Sequence, residues 1–177
     1  MDLLIRKMVS EDLELVKSID KLAFPNPWPE NAYNYEFDQN PNARLWVVEV
    51  QQGLEKAVIG FTVVWVVIDE AHIGTIAIHP DFQNRGIGKK FLLFIFQELV
   101  DENICKIFLE VRQSNRSAIS LYKKFGFVFD GERKHYYRDN GEPALLMSCI
   151  IKRKEYYMEL DAGLTIKNSK QKREVIS

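Results

Sequence analysis

The chain has 177 residues, of which 46% are hydrophobic and 28% charged, and these values suit one soluble domain with a substantial core. Its formal net charge of −1 gives no overall attraction to nucleic acid or to an anionic membrane. The charge is unevenly divided, because residues 152–177 carry a net +3 and the rest of the chain a net −4. A mildly acidic body would suit a cationic substrate, although a solvated surface is the simpler explanation.

The cysteines and the apolar runs indicate in which cellular compartment the protein works. Cys105 and Cys149 lie in apolar, strand-like runs, and two cysteines do not make a disulfide framework, so we expect buried free thiols in a reducing environment. The first residues, Met1–Arg6, lack the long apolar centre of a signal peptide, and no apolar run approaches the roughly 18–20 residues of a membrane span. A cytoplasmic protein that does not enter a membrane is therefore expected.

The first half of the chain predicts one strand, two helices and three more strands. Ser10 is a typical N-cap, and the apolar residues after it recur at helical spacing. Three prolines interrupt the chain around Trp28, and proline is favoured in the first turn of a helix. The predicted elements are a strand at Leu3–Arg6, a helix from Ser10 with a stripe of Leu13, Val16, Ile19 and Leu22, a helix from Pro29–Glu30, a turn at Asn40–Asn42, and strands at Leu45–Val50, Val58–Ile68 and Ala71–Ile78.

The second half alternates between helices and strands. A helix follows a glycine-containing turn, and because Phe94 and Phe96 leave little of it polar, burial on most of its sides is expected. Ser114 or Asn115 is the predicted N-cap of a shorter helix that ends at Gly126. The predicted elements are a helix with Ile87, Phe91, Ile95 and Leu99 on one face, a strand at Ile104–Val111, the shorter capped helix, a strand from Phe127 and a last strand at Ala144–Ile151.

This order of elements predicts an α/β layered fold in which helices flank a mixed, largely antiparallel central sheet. It does not match the parallel order of a Rossmann fold. We expect one domain over residues 1–151 and a basic extension over residues 152–177. The simplest expectation for the extension is a solvated or partly helical tail, and its charge and aromatic residues also suggest contact with RNA or a partner chain.

The most informative segment is the turn Gln83–Gly88, which lies between an apolar, strand-like run and a predicted helix. Glycines let a backbone approach an anion closely, and the first turn of a helix has unpaired N–H donors and a partial positive charge. Arg85 and Lys89 add positive charge beside them. The segment predicts a phosphate-bearing ligand at the helix start, and close helix–sheet packing of Gly86 and Gly88 is the alternative.

Other familiar sites are excluded by the motifs. The sequence has no G-x-x-x-x-G-K-[ST], so it is not a Walker nucleotide site, and no G-x-G-x-x-G followed by an acidic residue after the next strand. A metal site is not expected either, because His72, His79 and His135 stand apart from any cluster of other ligand residues.

The chain resembles the GNAT superfamily of acetyl-CoA-dependent N-acetyltransferases. The superfamily motif Q/R-x-x-G-x-G/A is matched by Gln83, Gly86 and Gly88. Further segments resemble the RimI type within it, which acetylates the N-terminal alanine of a small-subunit ribosomal protein. They are Phe24–Trp28, Asp69–Ile73, Leu109–Asn115, Ala118–Phe127 and the segment from Gly131 to Tyr137. The resemblance covers roughly residues 3 to 151 and implies a GNAT fold. It also implies that an RNA contacted by the basic extension would be ribosomal RNA.

The resemblance implies that acetyl-CoA is the cosubstrate and that two surfaces of this chain bind it. Backbone groups of the strand before the glycine turn would hold the pantetheine arm, and the turn itself would hold the pyrophosphate. Asn115 would hydrogen-bond the cofactor unless it serves only as a helix cap. The expected cofactor-binding residues are Ile76, Ala77, Ile78, Gln83, Asn84, Arg85, Gly86, Ile87, Gly88, Lys89 and Asn115.

Glu110 and Tyr122 match the positions of the catalytic base and acid in the family. An ammonium group cannot attack a thioester, so Glu110 would accept the amine proton, directly or through water. Tyr122 would protonate the departing coenzyme A thiolate. Without the resemblance, Glu110 would be assigned to the surface and Tyr122 to the core. A direct transfer needs no cysteine nucleophile.

The same resemblance implies that Trp28, Glu70, Tyr136 and Tyr137 flank a peptide groove. The expected function is transfer of an acetyl group to a protein N-terminal α-amine by direct attack in a ternary complex, and the N-terminal alanine of a ribosomal protein is the leading acceptor. Two alternatives stay open. One is the same chemistry on a lysine side chain, a polyamine or a small amine, and the other is an acyl-CoA-binding regulator without turnover.

Overall fold

The computed structural model describes residues 2–52, 55–151 and the short segment 167–168. Its strands are β1 (Asp2–Lys7), β2 (Ala43–Gln52), β3 (Glu55–Val67), β4 (Glu70–Ile78), β5 (Lys106–Arg112), β6 (Val128–Arg133), β7 (Ala144–Ile150) and β8 (Lys167–Asn168). Its helices are α1 (Leu13–Ala23), α2 (Ala32–Asp38), α3 (Ile87–Asp101) and α4 (Arg116–Lys124), with 3-10 turns at Ser10–Asp12 and Pro80–Phe82. The order of elements as far as β7 is the predicted one.

The strands form one eight-stranded sheet in the order β6-β7-β5-β4-β3-β2-β1-β8. Neighbouring strands run antiparallel except for the pairs β4–β5 and β1–β8. In the described residues, β4 pairs with β5 from Glu70↔Lys106 to Ile73↔Leu109, whereas it pairs with β3 as far as Ile78. The sheet therefore opens between β4 and β5 beyond Ile73. The predicted mixed, largely antiparallel sheet is confirmed.

Helices cover both faces of the sheet, because successive residues of a strand point to opposite sides. Along β2, Trp46 and Val48 belong to the apolar cluster around α3, and Val47 belongs to the cluster around α1 and α2. Helix α3 is buried on most of its sides, as its composition predicted. Its buried residues are Ile87, Phe91, Leu92, Leu93, Phe94, Ile95, Phe96 and Leu99.

The start of α1 differs from the prediction. Ser10 lies in the 3-10 turn before the helix and does not cap α1. Asp12 fixes the backbone before the helix instead, because its carboxylate accepts a hydrogen bond from the Val9 N–H at 2.9 Å. Leu22, predicted on the buried stripe, is 58% exposed, and the stripe includes Asp20 in its place.

Two further expectations are corrected. Helix α2 begins at Ala32 rather than at Pro29, because the Pro29 carbonyl accepts the Ala32 N–H at 2.9 Å in a turn that precedes the helix. Cys105 is exposed, since it lies in the connection before β5 rather than within the strand, whereas Cys149 on β7 is buried as expected. Both thiols are free.

Strand β8 was not predicted. Its residues Lys167 and Asn168 pair in parallel with Leu4 and Ile5 of β1. The other residues of the basic extension lie outside the described part of the chain, so its contact with ribosomal RNA or a partner stays a prediction. Truncation after Ile151 that leaves activity, affinity for ribosomes and oligomeric state unchanged would contradict it.

Candidate active site

The turn before α3 has the backbone geometry of an anion site. Gly86 precedes the helix with a φ of +77°, in the left-handed region that glycine adopts without strain. Asn84 also has a positive φ, of 59°, which asparagine tolerates better than most residues. The hydrogen bonds within the helix begin with the Lys90 N–H, which donates to the Gly86 carbonyl at 3.2 Å. The N–H groups of the first turn come before this bond and have no acceptor within the helix. They are oriented as donors for an anion at the helix N-terminus.

Packing does not explain the glycines of this turn. A Cβ added at Gly86 would meet no described atom within 4 Å, and one added at Gly88 would meet Leu121 Cδ2 at 3.7 Å, which is an ordinary contact. The space around each position would therefore accept a Cβ. The alternative of close helix–sheet packing is therefore not supported, and the space over the turn is open where the predicted ligand would lie.

Several side chains of the turn are engaged by the protein itself. Gln83 Nε2 donates to the carbonyl of Ile78, the last residue of β4, at 2.9 Å. Arg85 donates to a backbone carbonyl of the preceding 3-10 turn at 2.8 Å, and Ile87 is buried in the core. The Lys89 side chain is exposed. The groups in this segment most suited to an anion are thus backbone N–H groups and the Lys89 ammonium.

A cavity of about 480 Å³ lies where β4 and β5 separate. Glu110 on β5 and Tyr122 on α4 both line it, together with Ile76 on β4 and Asn115 before α4. Ala77 and Ile78 lie farther along β4 with buried side chains, so only their backbone could contact a ligand. The structure thus brings the two predicted catalytic side chains to one cavity beside the strand expected to bind the cofactor.

Asn115 caps helix α4. Its Oδ1 accepts the Ala118 N–H at 3.1 Å, so the capping part of its prediction is confirmed and Ser114 is not the side-chain cap. The predicted contact with a cofactor would therefore fall to the Asn115 amide NH₂ group, which belongs to the same cavity lining.

Tyr122 is buried on the apolar face of α4, with 7% of the residue exposed. Its ring lies 5.5 Å from that of Phe127, between centroids. Burial, with a smaller contribution from the phenol of Tyr137, raises the pKa of Tyr122 well above its usual value. Tyr122 is therefore a neutral phenol at any physiological pH, able to donate a hydrogen bond and a weaker acid than a free tyrosine.

Glu110 has two partners in the cavity. Its Oε1 lies 2.8 Å from Arg133 Nη1 of β6, and its side chain is 31% exposed. The Tyr136 hydroxyl lies beside the same carboxylate, and this neighbour is the main cause of a raised pKa at Tyr136. The ion pair arises because β7 pairs with both β5 and β6, which puts Glu110 beside Leu146 and Leu146 beside Gly131.

Trp28 is the centre of an aromatic stack on the other side of the cavity. Its ring centroid is 5.2 Å from that of Tyr33 and 5.9 Å from that of Trp65, with nearly parallel planes. Its backbone N–H donates at 2.7 Å to Asp20, a buried carboxylate of α1 whose pKa is raised by that burial. The loop before α2 is thus held by one backbone bond and one stacked ring.

Tyr136 and Tyr137, in the loop after β6, contact each other edge to face with ring centroids 5.1 Å apart, and both line the cavity. A second cavity of about 690 Å³ continues from the first, and the two share Trp28, Glu110 and Tyr136. Glu70, the first residue of β4, lines neither cavity. Three of the four predicted groove residues are therefore brought together, and Glu70 is not.

Sequence reasoning missed four side chains that shape this site: Asp20, Trp65, Arg112 and Arg133. Two of them carried a signal. Asp20 is a carboxylate within the apolar stripe of α1, and Arg112 follows Glu110 by two residues, the spacing that puts side chains on one face of a strand. Trp65 and Arg133 reach the site only through strand pairing.

No group of three or more histidine, cysteine, aspartate or glutamate side chains suited to a metal ion occurs within the described residues. The imidazole of His79 instead accepts the Asp81 N–H at 3.2 Å and ends β4. None of the described helices is long and apolar enough to cross a membrane.

Comparison with known proteins gives the family. Residues 13–127 match the acetyltransferase (GNAT) family model, which covers more than half of the chain. The chain belongs to the GNAT family of N-acetyltransferases, as its motifs predicted.

Relatives of known name extend over most of the chain. It is 36% identical over 147 residues to a Bacillus subtilis protein provisionally named a ribosomal protein bS18-alanine N-acetyltransferase, covering 83% of this chain and 95% of the relative. It is 33% identical to the ribosomal protein bS18-alanine N-acetyltransferase of Escherichia coli K12, covering 83% and 97%. A crystal structure of the Escherichia coli ribosomal-protein-S18-alanine N-acetyltransferase superposes with a TM-score of 0.77, 31% identity and coverage of 85% and 94%.

Proposed function

We propose that this protein transfers the acetyl group of acetyl-CoA to the α-amine of a protein N-terminus, and that its acceptor is the N-terminal alanine of a ribosomal protein. The observation that carries the proposal is the meeting of Glu110 and Tyr122 in one cavity at the opening of the sheet. The names of relatives that are 33–36% identical over most of the chain support the acceptor.

The donor would extend from the α3 turn to the cavity. Backbone N–H groups of Asn84–Lys89 would bind its pyrophosphate, and the unpaired edge of β4 near Ile76–Ile78 would bind its amide arm. Gly86 and Gly88 leave room for this contact. The thioester would then reach the lining that contains Ile76, Asn115 and Tyr122. Acetyl-CoA has both an anionic end and an amide arm, so it fits the two surfaces.

Glu110 would take the proton from the acceptor amine, directly or through water. An α-amine has a pKa near 8 and lysine one near 10.4, so at neutral pH the neutral α-amine is about 300-fold more abundant. A carboxylate is therefore a sufficient base for a chain terminus and a less adequate one for a lysine side chain. Glu110 lies at the point shared by the two cavities, where an acceptor in one could meet a donor in the other.

The transfer would be direct. The amine nitrogen forms a bond to the thioester carbonyl carbon, the carbon–sulfur bond breaks, and one amine proton ends on the thiol. Tyr122, as a neutral phenol, would donate a hydrogen bond to the departing thiolate, and a full proton only uphill, because burial raises its pKa farther above that of a thiol, about 8.5. The cavity lining, drawn from the described residues, includes neither Cys105 nor Cys149, which supports transfer without an acyl-cysteine.

The test is thiol release from acetyl-CoA with a panel of acceptors, and mass spectrometry to locate the acetyl group. The panel contains peptides with a free alanine terminus, a blocked alanine terminus, other free termini, an internal lysine, and spermidine. Acetylation of free α-amines alone, fastest on alanine, supports the proposal. Transfer to lysine or spermidine instead would replace the acceptor and keep the chemistry.

The regulator alternative has its own outcome in this experiment. Binding of acetyl-CoA with no turnover on any acceptor, including intact ribosomal protein, would contradict the proposal and favour a non-catalytic acyl-CoA sensor. The presence of both Glu110 and Tyr122 in the cavity favours the enzyme, because a binding protein needs neither.

A further inference from the structure

Arg112 is an arginine at the end of β5 that the proposed chemistry does not use. It follows Glu110 by two residues and lines the same cavity. Only 16% of its side chain is exposed. It donates to Asp139 Oδ1 at 3.0 Å and to Glu142 Oε2 at a longer 3.4 Å, and its guanidinium carbon lies 3.7 Å from the ring centroid of Tyr137. One cation therefore contacts two carboxylates and one aromatic face.

The two carboxylates connect Arg112 to both loops of the acceptor side. Glu142 also accepts the Ser114 N–H, so it ties the loop after β6 to the start of α4. The Asp139 carboxylate also lies beside the side chain of Asn26, in the loop that carries Trp28. The loop with Trp28 and the loop with Tyr137 thus converge on the same guanidinium.

The loop after β6 has little regular structure to hold it. Residues 134–143 contain turns and irregular backbone, with internal bonds from the Tyr137 N–H to the Glu142 carbonyl and from the Gly141 N–H to the Tyr137 carbonyl. A bond from the Gln113 N–H to the Pro143 carbonyl joins its end to the chain after β5. Side-chain contacts must therefore set where its tyrosines lie relative to Glu110.

We propose that Arg112 is a positioning residue that sets the shape of the acceptor pocket, by holding Tyr137 directly and the Trp28 loop through Asp139 and Asn26. This inference rests on the proposed function. Arginine suits the role because its planar guanidinium stacks on a ring and donates to carboxylates in the same plane. Lysine, a point charge on a flexible stem, cannot make both contacts at once.

The consequence is a separation of the two substrates. Arg112 touches the acceptor loops, whereas the donor turn at Gly86 lies on a different element. Loss of Arg112 should displace Tyr137 and Tyr136 from Glu110, and a displacement of about 1 Å in a positioned group lowers the rate by up to about 100-fold. Binding of coenzyme A should be unaffected.

The experiment compares Arg112→Gln and Arg112→Lys with the wild type, using steady-state kinetics on the alanine peptide. We expect kcat/KM for the peptide to fall about 10- to 100-fold in both variants, mainly through KM, and the Kd of coenzyme A to stay within about twofold. Arg44→Gln is the matched control, because Arg44 pairs with Glu102 at 2.9 Å at the far end of β2 and lines neither cavity.

Hydrogen exchange of the folded protein gives a readout that needs no acceptor. Amides of residues 134–143 and 24–28 should exchange faster in Arg112→Gln and not in Arg44→Gln. Unchanged exchange in those loops together with wild-type peptide KM would overturn the inference. A wild type that acetylates no N-terminal peptide would instead contradict the proposed function, while the exchange result would still test the role of Arg112.

Asp139→Asn is the second variant, in case Arg112→Gln does not fold. The Asp139 side chain is 26% exposed, so its substitution leaves the core intact, and it weakens the link to Asn26 while Arg112 still stacks on Tyr137. We expect a smaller rise in peptide KM, about threefold to tenfold, again without change in coenzyme A affinity. An equal loss of affinity for the peptide and for coenzyme A would contradict a role confined to the acceptor pocket.

Discussion

The two sides of the cavity are built in different ways. The proposed donor side consists of the edge of β4 and the start of α3, which follow each other in the chain within residues 70–101, and it offers mainly backbone groups. The acceptor side consists of side chains from α1, the loop before α2, β5, β6 and the loop after β6. Its key contacts join residues far apart in the sequence, such as Glu110 with Arg133 and Trp28 with Trp65.

Because of this difference, a protein of this kind can keep the same acetyl donor while its specificity for the acceptor changes. Backbone N–H groups at a helix start bind an anion through main-chain geometry, so they constrain only the residues that set the turn. An acceptor pocket made of side chains on loops depends on the identity of each of them. The following predictions test whether the two sides separate in function.

Substitution of the proposed base should have the largest effect. We expect Glu110→Gln to lower kcat about 10²- to 10⁴-fold at unchanged affinity for coenzyme A, because a positioned general base contributes that much. Glu70→Gln is the matched control, since Glu70 lies outside both cavities and its loss should change kcat by less than about twofold. Steady-state kinetics decides, and wild-type kcat in Glu110→Gln across the pH range would remove Glu110 from the mechanism.

Tyr122→Phe should come next. Tyr122 is buried and neutral, and its loss should lower kcat about 10- to 100-fold while the donor still binds. A thioester whose thiol has a lower pKa needs less protonation as it leaves, so the deficit of the variant should shrink with such a donor. A deficit of equal size with every leaving group would show that Tyr122 acts by packing rather than as a proton donor.

A matched pair of glycine substitutions separates the two sides directly. Gly86 and Gly141 have similar positive φ values, +77° and +71°, and an added Cβ meets no clash at either. A β-branched residue there costs about 1–3 kcal/mol in backbone strain. We expect Gly86→Val to raise the KM for acetyl-CoA about tenfold or more, and Gly141→Val to raise the peptide KM instead.

Asparagine checks the cause of that effect, because it tolerates the left-handed region. Gly86→Asn should recover most of the affinity for acetyl-CoA, which kinetics and direct binding of coenzyme A would measure. If both valine variants weakened both substrates alike, the division between donor and acceptor sides would be wrong.

Trp28→Ala should act on the acceptor alone. The Trp28 ring stacks between Tyr33 and Trp65 and lines both cavities, so its loss should lower kcat/KM for the peptide about tenfold and leave coenzyme A binding unchanged. Tyr35→Ala on the exposed face of α2 is the control for removal of an aromatic side chain. Peptide kinetics of the two variants would contradict the prediction if they coincided.

The smallest effect concerns the ionisation of Tyr136. The neighbouring Glu110 carboxylate raises the pKa of Tyr136, so the phenol stays neutral to a higher pH than a free tyrosine. Replacement of Glu110 by glutamine removes that charge, and the pKa of Tyr136 should fall back toward its usual value near 10. NMR titration of labelled tyrosines measures it, and burial, the largest cause, should keep the pKa of Tyr137 above its usual value in both proteins. A Tyr136 titration that does not change would place the hydroxyl away from Glu110.

Sequence reasoning gave most of the fold and unequal parts of the site. The order of elements as far as β7, the burial of α3 and the Asn115 cap follow from periodicity, turn residues and capping, which act over a few neighbouring residues. The errors at Ser10 and Pro29 have one source, because hydrogen bonds that the pattern does not show, from the Val9 N–H to Asp12 and from the Ala32 N–H to the Pro29 carbonyl, decided where each helix began. Leu22 and Cys105 were predicted to be buried and are exposed.

By itself the sequence determined the family of this protein and predicted its proposed donor side, because a glycine turn at a helix start is a local feature that presents main-chain donors. Only the tertiary structure decided the acceptor side. The register of β5, β7 and β6 brings Arg133 to Glu110, the folding of two loops brings Asn26 and Asp139 to Arg112, and the same sheet leaves Glu70 outside the cavities. Such contacts depend on the packing of distant segments, and no spacing along the chain contains them.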